Sequence, residues 1–202
     1  MSGNVRADAR ETVVVKLGGE TLGERHAALR GVAEAAAEYR LVIVHGGGKR
    51  LSAWLGRLGI ESSWHEGRRV TDAAALEVAV AVLGGVVNSE VVAALVALGA
   101  DAIGLTGIDG GLLIAERVPE LGRVGRVTGA RTAALEALLD RGSVPVVAPL
   151  ALDAAGEICN VNADEVAGGL AAALGARLVL LTDTPGVLDG DGRVVPSLDA
   201  PA

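Results

Sequence analysis

Two β-branched apolar runs lead straight into glycine clusters: Thr12–Lys16 (TVVVK) precedes Gly18–Gly19, and Leu41–His45 (LVIVH) precedes Gly46–Gly48. A short continuous apolar run is the pattern of a strand covered on both faces. Glycine at its carboxyl end allows a tight turn and a close approach of backbone to a ligand. Between the two runs, Glu24–Tyr39 is rich in Ala, Glu and Arg and reads as a helix. Strand, helix and strand in that order predict a βαβ unit and therefore a parallel sheet.

The alternation continues along the chain. Lys49–Leu58 reads as a helix, and Thr71–Ala97 as a long helical region with Thr71 or Asp72 as N-cap and a break at Gly84–Gly85. Ala102–Leu105 is a short strand, and Gly110–Ala115 with Val124–Val127 predicts a small antiparallel patch. Ala133–Leu139 is helical, Val144–Ala148 is a strand, and Asp153–Gly156 is a hairpin turn. Ala163–Leu174 is a helix and Arg177–Thr182 a last buried strand, followed by a hairpin turn at Asp189–Gly192. The expectation is one α/β unit over residues 1–202 with a mostly parallel central sheet.

Composition narrows the function classes. A net charge of −7 argues against a nucleic-acid binder. The single cysteine, Cys159, forms no internal disulfide, and residues 1–12 carry no signal-peptide apolar segment. Asn88-Ser89-Glu90 and Arg177 interrupt the apolar stretches before they reach the roughly 18 residues of a membrane span. A cytoplasmic protein without membrane contact is expected, and apolar helical faces suit a homodimer.

Ligands of open parallel sheets bind beyond the carboxyl ends of the strands, where glycine amides and helix N-termini attract anions. KLGG at 16–19 and HGGG at 45–48 occupy such positions, yet neither fits GxxxxGK[ST] nor GxGxxG. Of the eighteen Lys and Arg residues only Lys16 and Lys49 are lysines, one beside each cluster. Lys16 ends an apolar strand, where a cation is costly without an anionic partner, so a functional role is expected for it. Lys49 reads as a solvated residue of a first helical turn. In NVNAD (160–164), Asn162 serves as N-cap, whereas Asn160 precedes the cap and has a side chain available for a ligand. TDTPG (182–186) ends another strand at the same sheet edge. Arg68 and Arg69 precede Val70-Thr71-Asp72, and an arginine can grip a carboxylate with two parallel hydrogen bonds. His26, His45 and His65 lack metal-ligand spacing, so no metal site is assigned.

In order, KLGG (16–19), VIVHGGG (42–48), GRRVTD (67–72), GLTGIDGG (104–111), PVVAPLALDAAGEICNVNADEVAG (145–168) and LLTDTPGVLDGDG (180–192) resemble the acetylglutamate kinases of the amino-acid kinase superfamily, from about Val13 to Val195. The resemblance implies a three-layer αβα sandwich that transfers the γ-phosphoryl group of ATP, with Mg²⁺, to the side-chain carboxylate of N-acetyl-L-glutamate in arginine biosynthesis. It gives Lys16 the moving phosphoryl group and Asp164 the orientation of that lysine. Gly47, Gly48, Arg69 and Asn160 would hold the acyl substrate. Gly18, Gly19, Asp183, Thr184, Pro185, Gly186, Val187 and Leu188 would line the nucleotide site. Members of the family continue several dozen residues further, so the resemblance implies a complete acyl-substrate half and a partial nucleotide half. The alternatives are a sister kinase acting on a carrier-linked aminoadipate or glutamate side chain, and a catalytically impaired substrate-binding fragment.

Overall fold

The computed structural model describes residues 10–18, 22–65, 68–182, 186–187 and 189–197. In chain order the elements are β1 Thr12–Leu17, α1 Leu22–Ala35, β2 Arg40–His45, α2 Gly48–Arg57, β3 Trp64–His65, β4 Arg68–Arg69, α3 Ala73–Ala79, a π-helical segment Val80–Val87, and α4 Asn88–Ala97. They continue with β5 Ala102–Thr106, β6 Leu113–Arg117, β7 Val124–Ala130, α5 Ala133–Asp140, β8 Val144–Ala148, β9 Leu150–Leu152, β10 Ile158–Val161, α6 Ala163–Leu174 and β11 Arg177–Leu181.

Five strands form a sheet in the order β11-β1-β2-β8-β5, every pair parallel. The two-residue period of the strands sorts their side chains between two helical layers. Val13, Val15, Leu41 and Ile43 pack against Leu29 and Val32 of α1 and Val91 and Leu95 of α4. Val14, Val42, Val44 and Val147 pack against Leu135 and Leu139 of α5 and Val166 and Leu170 of α6. The result is the expected three-layer sandwich, with each fully buried Val or Leu contributing roughly 1.5–3 kcal/mol. Because the strands are parallel, their carboxyl ends share one edge of the sheet, and the site lies there.

A second, smaller sheet closes on itself in the order β10-β7-β6-β9. The predicted antiparallel patch is its β6–β7 pair, and the predicted turn at Asp153–Gly156 joins its β9–β10 hairpin. Its strands are short, and the sequence marks β9 and β10 only through the turn between them. Gly110 and Gly111 fall instead in a tight turn with φ of 62° and 66°, and β6 begins at Leu113.

Two expectations are corrected. Asn88-Ser89-Glu90 does not interrupt the long apolar stretch, because Asn88 turns inward and its Nδ2 donates to Val146 O at 2.9 Å and Leu105 O at 3.2 Å. Carbonyls of β8 and β5 thus satisfy a polar residue in mid-helix. Asp72 caps the start, accepting from Ala75 N at 2.8 Å, and Gly84–Gly85 falls in the π segment rather than at a break. Among the described residues, Ala73–Ala97 is therefore one helix long and apolar enough to cross a membrane by length and composition. One of its faces packs into the core through Val82, Leu83, Val87, Val91 and Leu95. The second correction concerns β11, which is no buried strand: only β1 borders it among the described residues, and Leu178, Leu180 and Leu181 are 36–45% exposed.

Candidate active site

The carboxyl end of β1, the glycine turn after β2, the β3–β4 hairpin, β10 and the start of α6 surround one cleft of about 440 Å³. It is lined by Lys16, Gly47 and Gly48, Arg69, Asn160 and Asp164, which are the catalytic and acyl-substrate residues expected from the sequence.

Lys16 comes to the cleft through strand alternation. It shares a sheet face with Val14, and α6 covers that face. Its Nζ lies 3.0 Å from Asp164 Oδ1, the lysine side chain 13% exposed and the aspartate 54%. A largely buried ammonium thereby gains the anionic partner it requires. Asp164 is placed by the cap of α6, where Asn162 Oδ1 accepts from Asp164 N at 2.7 Å and from Glu165 N at 3.3 Å.

Gly47 is the N-cap of α2 with φ of 85°, and a Cβ there would stand 2.9 Å from Leu83 Cδ2. Both conformation and space call for glycine. A helix that starts on glycine brings no capping side chain, and its N-terminus is the end whose dipole attracts an anion.

Arg69 is 6% exposed. Its guanidinium donates to Ser62 Oγ and, at 2.6 Å, to Ser52 Oγ, and it lies 4.3 Å from the centre of the Trp64 ring. Burial lowers the Arg69 pKa from its ordinary value while leaving it a cation near neutrality. Two hydroxyls and an aromatic face fix its direction. Asn160 Nδ2 donates to Thr71 Oγ1 at 3.3 Å, and Thr71 Oγ1 donates to Arg69 O at 3.1 Å, so Asn160 and the hairpin strand are linked. Ser52, Ser62 and Trp64 were not foreseen; no local pattern points to them, since they meet Arg69 only through the fold. Lys49, read as a solvated residue, also lines the cleft.

Of the expected nucleotide residues, Gly18, Gly186 and Val187 are described. Gly18 N–H donates to Leu181 O at 2.7 Å, and a Cβ on Gly18 would stand 2.8 Å from that oxygen. Glycine there serves the close approach of β11, and this amide is committed within the protein. Gly186 and Val187 belong to the terminal hairpin, where Val195 N donates to Val187 O at 2.7 Å, and they are not among the lining residues of the cleft. Gly19, Asp183, Thr184, Pro185 and Leu188 lie outside the described residues.

Comparison with known proteins gives the family and the fold. The amino acid kinase family matches residues 11–200. The acetylglutamate kinase of Rubrobacter xylanophilus is 50% identical over 189 residues, covering 93% of this chain and 73% of that protein. The acetylglutamate kinase of a Synechococcus strain is 43% identical over 203 residues, covering 96% of this chain and 67% of that protein. Among solved structures, smu.665 from Streptococcus mutans superposes with a TM-score of 0.78 at 27% identity, over 89% of this chain and 75% of that one.

Proposed function

The chain belongs to the amino acid kinase family, among its acetylglutamate kinases, and on that premise we propose that it phosphorylates N-acetyl-L-glutamate with ATP in arginine biosynthesis. A side-chain carboxylate oxygen bonds to the γ-phosphorus as the bond from that phosphorus to the β,γ-bridging oxygen breaks. The products are an acyl phosphate and ADP.

The observation that carries this reading is the convergence of Lys16 with Asp164, Gly47–Gly48 and Arg69 on one cleft. The attacking carboxylate is already ionised near neutrality, so no general base is needed. What remains is positioning and charge stabilisation. In this reading Arg69, held by Ser52 and Ser62, grips the substrate's α-carboxylate, and Asn160 holds neighbouring polar groups. Lys16, oriented by Asp164, meets the transferred phosphoryl group, and the first-turn amides of α2 face the anionic end. Among the described residues no three His, Cys, Asp or Glu cluster for a metal. That suits Mg²⁺ held mainly by nucleotide phosphates and water, where it would offset phosphate charge. The nucleotide itself is assigned to the KLGG and TDTPG turns.

We infer a cytoplasmic homodimer without nucleic-acid or membrane contact, on the net charge of −7 and on exposed Val96 and Leu98 at the end of the long helix. The test of the substrate assignment is calorimetric titration of N-acetyl-L-glutamate into the chain and into Arg69→Ala. Saturable binding weakened roughly 100-fold by the substitution is expected, the loss of a charge-assisted bidentate contact. A folded wild-type chain that binds no N-acetyl-L-glutamate would overturn it.

A further inference from the structure

Two consecutive acids in the first turn of α6 reach opposite walls of the cleft. Asp164 takes Lys16 of β1, while Glu165 Oε1 accepts from Arg68 NH2 of β4 at 2.6 Å. Glu165 is anchored beyond this contact: its backbone N–H donates to the Asn162 cap, and its Oε2 lies 3.4 Å from Val127 N on β7. The Arg68 and Glu165 side chains are 33% and 25% exposed. This pair is thus partly shielded, unlike the solvent-exposed ion pairs that contribute little.

The hairpin needs such an anchor. β3 and β4 have two residues each, Trp64 and His65 are exposed, and an isolated two-stranded hairpin is at best marginally stable in water. Its ladder is extended by Val70 N donating to Ser63 O at 3.0 Å. At its far end the strand is held through Thr71, by backbone bonds to Leu121 and Arg123 and by Asn160 Nδ2; side-chain tethers run from Arg69 to Ser52 on α2 and from Arg68 to Glu165 on α6.

We infer that the Arg68–Glu165 ion pair is a strap across the cleft, fixing the strand that carries Arg69 against the helix turn that carries Asp164. Arg68 lines the cleft and Glu165 does not; as positioning residues they bond to each other and set the span between the carboxylate-gripping arginine and the phosphoryl-handling lysine. The assignment of that span to substrate rests on the N-acetyl-L-glutamate reading above.

The test uses Arg68→Gln, Glu165→Gln, the double substitution and Arg68→Lys in the full chain. Each glutamine variant is expected to raise the Kd for N-acetyl-L-glutamate roughly tenfold, and the double variant no further than either single. Arg68→Lys retains most of the affinity, and the melting temperature stays within about 2 °C throughout. In the absence of ligand, Glu165→Gln is expected to speed amide exchange at Val70 roughly tenfold. Single variants that bind like wild type, or losses that add in the double variant, overturn the strap. So does unchanged exchange at Val70. A folded wild-type chain that binds no N-acetyl-L-glutamate overturns the substrate reading instead, and the exchange result still decides the strap.

Discussion

Lys16 owes its position to a parity. In β1 the even-numbered residues Val14 and Lys16 face α5 and α6, and the odd-numbered ones face α1 and α4. A shift of one residue in strand register would turn Lys16 away from Asp164 and into an apolar layer. Its position at the end of an apolar strand was legible in the sequence because a cation there needs a partner; the partner, 148 positions away, was legible only by resemblance. Arg69 was less legible still, since its neighbour Arg68 has the same chemistry and only the fold separates their partners. The Lys16–Asp164 pair leads to a prediction. Lys16→Met keeps the length of the side chain and removes the charge that would meet the phosphoryl group. Turnover, measured as ADP release dependent on N-acetyl-L-glutamate, is expected to fall at least about 100-fold, as when one stabilising charge or donor is lost elsewhere. The Kd for N-acetyl-L-glutamate should change by less than about threefold. A variant that keeps more than a tenth of wild-type turnover would remove Lys16 from the chemistry.

At the scale of elements, what the sequence announced was what local rules govern. Asp72 and Asn162 cap their helices as the cap preference requires, and α6 has the predicted ends. The β3–β4 hairpin was missed because two-residue strands are too short to show alternation. The edge strand β11 was misread because LVLL is as continuous as a strand covered on both faces. The β9–β10 hairpin, by contrast, was visible through its turn, and that turn has a pH signature. Asp153 Oδ1 accepts from Glu157 N and Ala155 N, each at 2.9 Å, and Arg117 Nε lies 2.8 Å from Oδ2. The Glu157 amide, the largest effect, holds the Asp153 carboxyl below its ordinary pKa against desolvation, the next largest, and the Ala155 amide and the Arg117 charge add to the lowering. A carboxyl whose folded pKa is depressed contributes stability above its unfolded pKa, about 3.9, and loses it as pH falls through the lower folded value. Asp153→Asn should therefore melt below wild type at pH 7, with the gap closing as the pH drops below about 4. Calorimetric melting at several pH values checks this; a gap independent of pH would mean that the hydrogen bonds act without the charge.

For the whole molecule, the helix Ala73–Ala97 sets the open problem of cover. Its inward face joins two apolar clusters, one under the sheet and one against α2. Yet only 39% of its most apolar window is buried within the chain, and Val96 and Leu98 at its end are 54% and 39% exposed. Its apolar content was plain in the sequence; which part meets the core follows from where Asn88 docks on β5 and β8, a tertiary fact. Exposed apolar area on a helix that is otherwise a core element calls for a protein cover or a bilayer. The inward Asn88, its amide committed to carbonyls of β5 and β8, ties the helix to the sheet and argues for protein. The homodimer inferred above makes the cover a second copy. Sedimentation equilibrium without detergent is then expected to give twice the chain mass. Val96→Glu, which places a charge on the exposed face and touches no cleft residue, should shift the population to single chains with the Kd for N-acetyl-L-glutamate changed less than about threefold. Wild-type chains that sediment singly, or that partition into a detergent phase, would leave the face to another partner or to lipid and overturn the dimer.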